Sequence, residues 1–133
     1  MTQMKKIIMI ITEILLLSVI VLVLDFGFLI SMKKYFNNQV RIIQGSDMKM
    51  NILAAVLCYV VIIGCIYKFI ITTNASVLDA AFLGWSIYLI YELTNKALFA
   101  NWSWKTVLID GVWGGILFGI STYIIRKILT ITA

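Results

Sequence analysis

The sequence contains no histidine and no proline. Without histidine there is no imidazole base, no Ser-His or Cys-His nucleophile pair and no imidazole metal ligand. Without proline there is no proline-kinked helix. Charge is scarce as well: 13% of the 133 residues are charged, while 62% are hydrophobic and the mean hydropathy is +1.04. Soluble domains run near half apolar and a quarter charged, so this composition excludes an ordinary soluble globule and a disordered tail. A chain of this length makes one domain.

Cysteine is nearly absent, and Cys58 and Cys65 fall in one apolar run. On a helix, seven residues separate them by roughly 10 Å, too far for a disulfide. They match no metal-ligand spacing and read as small packing residues.

What is abundant is long apolar sequence. Four runs, 7–30, 51–71, 77–95 and 107–125, have 19 to 24 residues each. Each is long enough to cross a hydrocarbon core of about 30 Å as a helix. The runs are continuous rather than alternating, which excludes barrel strands. The expected fold is an all-α, integral membrane four-helix bundle. Lys5 and Lys6 precede the first run as in a signal peptide, but the run is too long and contains Glu13 and Asp25, so it reads as a retained first helix.

The net charge of +5 comes from residues at the ends of apolar runs, such as Lys33, Lys34, Arg126 and Lys127. That placement suits lipid head groups rather than nucleic acid. Four crossings put both termini on one side. The 31–50 connection, polar and basic, and the 96–106 connection lie on the other. Basic residues divide five to six between the two sides, too even to assign an orientation. Trp102 and Trp104 suit an interface where the indole N–H stays wet. Asn74-Ala75-Ser76 and Asn101-Trp102-Ser103 match the glycosylation pattern but would lie on opposite sides and close to the membrane; both are discounted.

Threading the runs through a membrane brings three acids to a similar depth on the side of the 31–50 connection. Asp25 lies near the end of the first span, Glu92 near the end of the third and Asp110 near the start of the fourth. Ionisable groups inside a span are costly and mark functional candidates. In the third span Trp85, Tyr88, Glu92 and Asn95 share a helical face, with Tyr91 and Thr94 close by. Tyr59 of the second span and Trp113 of the fourth reach the same layer. Three carboxylates packed without a cation would repel, so at least one is expected to be protonated or paired; Lys96, one turn beyond Glu92, is the nearest cationic partner by sequence, and a bound metal or cationic ligand is the sharper option. Such a layer serves as polar glue between helices, as a ligand, ion or proton site, or as a catalytic pair. At the other end, Glu13 and Lys68 are expected to pair, with Asp79 and Arg126 nearby.

Small residues mark the packing faces. Gly111, Gly115 and Gly119, beside Gly114, recur along the fourth span, and Ser76, Ala80 and Gly84 along the third. Such stripes let backbones approach closely, within one chain or between copies.

The stretch Tyr88-Leu89-Ile90-Tyr91-Glu92-Leu93-Thr94-Asn95, followed by Ala97, Trp102, Asp110, Trp113 and Gly114, resembles a bacterial and viral family of predicted membrane proteins, domain of unknown function 2177. That family has a Tyr-(Asp)-Leu-Thr-Asn stretch ending its third helix, a Trp in the next loop and an Asp-x-x-Trp-Gly stretch opening the fourth. Leu24-Asp25 and Tyr59 with Gly64 extend the likeness to the first half. Glu92 stands where the family usually has Asp, and Phe28 near an expected Trp. The resemblance implies a four-helix integral membrane protein and implies no activity.

The functional expectation is a structural or scaffolding membrane component, not an enzyme, in a cell or virion membrane. The alternative is a small proton- or cation-coupled or lipid-binding protein using Asp25, Glu92 and Asp110. No cofactor is expected and the metal question stays open. Expected partners are the bilayer, further copies of the chain, and other membrane or capsid proteins, with no nucleic acid.

Overall fold

The computed structural model describes residues 2–132. It is 85% helical and holds no strand among the described residues. Four helices are long and apolar enough to cross a membrane. They are α1 (Gln3–Ser31), α3 (Ile52–Ile66, continued by a π-helical turn over Tyr67–Ile71), α4 (Val77–Leu98) and α5 (Trp104–Thr132). In hydrocarbon a backbone has no water to bond, so helices follow from the four apolar runs. The helix ends bear local signals. Thr2 and Asn51 accept from Lys5 N and Ala54 N at the starts of α1 and α3. Ser76 and Asp79 form a reciprocal capping box at the start of α4. In the π-helical turn, Thr72 N donates to Tyr67 O at 3.0 Å, and Ala75 N then donates to Ile70 O at 3.0 Å. Asn74 takes a left-handed conformation (φ 53°) in the tight turn before α4, which asparagine tolerates better than most residues.

The connection from Ser31 to Met50 is not a plain loop. It contains a fifth helix, α2 (Lys33–Gln44), closed by Gly45 in the left-handed conformation at φ 75°. Its apolar and aromatic residues, Tyr35, Phe36, Val40 and Ile43, alternate with exposed Lys33, Lys34 and Arg41 at helical spacing. That pattern makes an amphipathic helix. The positive charge of the segment masks it when the sequence is read for spans alone.

Helices α4 and α5 form the tightest pair. A Cβ on Gly84 would run into Gly114 O and Phe118, and a Cβ on Gly114 would run into Gly84 O and Tyr88. Only glycine allows so close a crossing. Gly115 and Gly119 face Ala81 at a looser distance, and Gly111 faces Leu89. The small-residue stripes thus pack within the chain. Leu17 and Val21 of α1, Ile62 and Ile66 of α3, Ala80 of α4, and Leu117, Phe118 and Ile125 of α5 complete the core. The lipid-facing sides stay apolar and exposed, as in Val19, Val60, Phe82 and Ile116.

Candidate functional site

Of the three acids, Asp25 is bonded by partners of its own, while Glu92 and Asp110 share a cavity wall. They divide into two places at the end of the bundle that carries α2 and the 99–103 connection. Among the described residues no group of three His, Cys, Asp or Glu side chains could hold a metal ion.

The first place is Asp25, buried on α1. Trp113 of α5 donates its indole N–H to Asp25 Oδ1 at 2.8 Å, and the Tyr59 hydroxyl of α3 donates to Oδ2. One carboxylate thereby ties three helices. Phe28 stacks on the Trp113 ring, with centroids 4.4 Å apart, and so holds the indole in place. Both oxygens of Asp25 are occupied.

The second place is the pair Glu92 and Asp110. Glu92 is 2% exposed on α4 and accepts the Trp102 indole N–H at 2.7 Å. Trp102 is therefore not a wetted interface ring: it is folded back over the end of α4, and its N–H is spent on a carboxylate. Asp110 projects from α5 and lines the same cavity wall as Glu92. Lys96 does not pair with Glu92. It donates to Ala100 O at 3.3 Å and lies over the Trp104 ring. The one ion pair among the described residues is Arg41–Asp47, exposed on the surface. Among the described residues neither carboxyl has a lysine or arginine within ion-pair distance.

Glu92 and Asp110 lie on the wall of a cavity of about 520 Å³. The end of α1 contributes Phe26, Leu29 and Ile30, and α2 contributes Lys33, Phe36, Gln39 and Val40. Met48 and Met50 close another side, with Tyr91 and Trp102 beside the acids. Exposed Ile30, Met50 and Tyr91 leave the cavity open as a groove. Its size and its apolar walls with a few convergent polar groups are those of a small-molecule site.

Helix α2 is fixed over this groove by Gln39, a residue that the sequence reading passed over. Gln39 is buried. Its Nε2 donates to Asn101 O at 3.1 Å, and its Oε1 accepts from Ser103 N at 3.0 Å and from Thr106 Oγ1 at 2.8 Å. The Tyr35 hydroxyl bonds Thr106 Oγ1 at 2.9 Å. A lone glutamine in a polar connection carries little signal; the helical spacing of Tyr35, Phe36, Gln39, Val40 and Ile43 is the pattern that could have exposed it.

The remaining candidates fall outside the groove. Trp85 faces lipid in an apolar furrow between α4 and α5, with Phe82 and Ile116. Tyr88 packs its ring on Phe118 in the helix crossing. The Thr94 hydroxyl bonds back to Ile90 O, and Asn95 supplies the carbonyl that ends α4 at Phe99 N. Tyr91, by contrast, lines the groove. At the far end Glu13 accepts from the Tyr67 hydroxyl at 3.1 Å instead of pairing with Lys68, and Arg126 donates to Ile70 O at 3.4 Å. Asp79 is occupied in the α4 cap. Cys58 and Cys65 are both free thiols.

Four long apolar helices, joined by buried acid–indole and acid–phenol bonds, define a polytopic all-α membrane protein. The family model described as "Predicted membrane protein (DUF2177)" matches residues 10–125, and the chain belongs to that family. No curated protein and no solved structure matches the chain.

Proposed function

We propose that this membrane protein is a binding protein, which holds an amphiphilic ligand in the groove between α1, α2 and α4. The observation that carries this reading is the Glu92–Asp110 pair on the wall of an otherwise largely apolar cavity of about 520 Å³. Asp25, by contrast, is bonded at both oxygens and serves as glue between helices. Among the described residues no indole, hydroxyl or amide bonds to Asp110, and it lies in an open groove. Placing an ionisable side chain inside a span is costly, and function is the usual reason. In this reading both termini lie on one side of the membrane and the groove opens at head-group depth on the other. Lys33, Lys34, Lys49, Lys96 and Lys105 lie in or beside the connections at that end of the bundle and suit anionic lipid heads.

A structural role is favoured by a different observation: the bonds at Asp25 and at Gln39 tie α1, α3 and α5 together and α2 to the α4–α5 connection. These bonds build the frame, and the groove is what the frame leaves open. No catalytic step is assigned, because no nucleophile with an adjacent base lines the groove.

The test is native mass spectrometry of the protein released from its own membrane under mild conditions. The wild type is expected to carry a defined extra mass. Leu29→Trp, which fills the groove from α1 without touching the acids, is expected to lose it. The same adduct on a folded Leu29→Trp variant, or a bare wild-type chain, refutes the reading.

A further inference from the structure

The groove has a cover, and the cover is built as one piece. We propose that α2 and its return loop, residues 33–48, form a rigid flap that opens and closes the groove, with Gln39 as its latch. The use of the flap rests on the binding reading above; its motion is measured apart from it.

Three observations lead to it. First, the segment is bonded to itself. Asn37 Nδ2 donates to Asp47 Oδ1 at 3.2 Å, and Met48 N donates to Asn37 Oδ1 at 2.8 Å. Gln44 Nε2 donates to Ser46 O at 3.2 Å and to Asp47 O at 2.9 Å, and Arg41 pairs with Asp47. These bonds fold the return loop back along α2, so helix and loop move together. Second, both ends of the segment are joints. Met32, between α1 and α2, leaves the helical conformation at φ −105° and ψ 9°, and residues 49–51 are irregular chain leading into α3. A few element-terminal residues of this kind are what absorb a hinge motion. Third, the hold on the frame is polar and narrow. Among the described residues, every side-chain hydrogen bond between the segment and the rest of the chain ends on residues 101–106: three from Gln39 and one from Tyr35. No ion pair among the described residues adds to them. Such bonds are replaced by bonds to water at small net cost. Phe36 meets the Phe28 ring edge-on beside the Met32 joint, with centroids 5.7 Å apart, and Lys105 lies over the Tyr35 ring. Gln39 itself lines the groove between Phe36 and Val40, so releasing it lifts the α2 wall of the cavity.

The experiment uses the full chain in nanodiscs, with Cys58→Ser and Cys65→Ser so that nitroxide labels attach only at introduced cysteines. Asn38→Cys on α2 and Ser46→Cys in the return loop are each paired with Leu98→Cys at the end of α4; all three positions are exposed. Pulsed dipolar spectroscopy reads both distances. With Gln39 in place, each pair is expected to show one dominant distance. Gln39→Leu is expected to add a longer population, with the same weight in both pairs. Tyr35→Phe breaks one bond of the four and is expected to add a smaller longer population; it decides the matter where Gln39→Leu fails to fold. Dodecyl maltoside, added to Gln39→Leu below its micelle-forming concentration, is expected to return both pairs to the shorter distance by filling the groove between α1 and α2. Unchanged distances in both variants would overturn the flap. A change at Asn38 without one at Ser46 would overturn the single rigid body. Joint opening that dodecyl maltoside does not reverse would uphold the flap and overturn the binding reading.

Discussion

Gly84→Ala tests the α4–α5 crossing on which the rest of the frame depends. The added Cβ would fall inside the contact distance of Gly114 O and lie 2.6 Å from Phe118 Cβ. Carbon pairs prefer about 3.5–4.0 Å, so the helices must part by about 1 Å. A gap of that size forfeits about a quarter to a half of each dispersion contact across the crossing. Over roughly 40 atom pairs at about 0.1–0.2 kcal/mol each, the loss is about 1–4 kcal/mol. This agrees with the usual cost of overpacking, about 1–3 kcal/mol. Gly114→Ala meets the reciprocal obstacle, Gly84 O and Tyr88, and is expected to cost about the same. Gly64→Ala is the control: nothing lies within 4 Å of its Cβ, so the change is expected to be neutral or stabilising by up to about 1 kcal/mol. Gly115→Ala falls between, with Ala81 O at 3.2 Å. The assay is reversible unfolding from mixed micelles, followed by tryptophan fluorescence. Equal stability of Gly84→Ala and Gly64→Ala would refute the crossing.

Other perturbations follow the same reasoning. Trp102→Phe removes the donor to a buried carboxylate and is expected to cost about 1.5–3 kcal/mol in the same unfolding assay. Gln39→Leu removes three hydrogen bonds, about 1 kcal/mol each, and is expected to speed hydrogen exchange in α2 while α4 stays protected. Arg41→Gln breaks an ion pair whose side chains are 60% and 68% exposed, and melting is expected to stay within about 1 kcal/mol of wild type. Tyr59→Phe leaves Asp25 with Trp113 alone and is expected to cost about 1–3 kcal/mol.

The architecture was readable because hydrocarbon imposes few solutions. Apolar length gives the spans, and the glycine stripes of the third and fourth runs give their contact, now seen at Gly84 and Gly114. Asp25, Tyr59 and Trp113 share a depth in sequence and also share bonds in space. Depth alone does not fix azimuth. Trp85 and Glu92 share a predicted helical face, yet Trp85 faces lipid and Glu92 is buried beneath Trp102. Partners were harder still, because any nearby charge is a candidate in sequence. Lys96 and Lys68 are one turn or one span from an acid, but the acids accept from Trp102 and Tyr67 instead. A buried carboxylate is satisfied at lower desolvation cost by a neutral N–H or O–H than by a cation that must itself leave water. Helix α2 was hidden because a 12-residue amphipathic helix is too short and too polar to be read as a span.

The most direct test of the groove is photolabelling in the native membrane with a diazirine-bearing long-chain amphiphile, mapped by peptide mass spectrometry. The account predicts labelling concentrated on residues 26–40, 48–50 and 91, abolished by excess unlabelled amphiphile and reduced in Leu29→Trp. Labelling spread evenly over the exposed apolar faces of α3 and α5, indifferent to competitor and to Leu29→Trp, would contradict it.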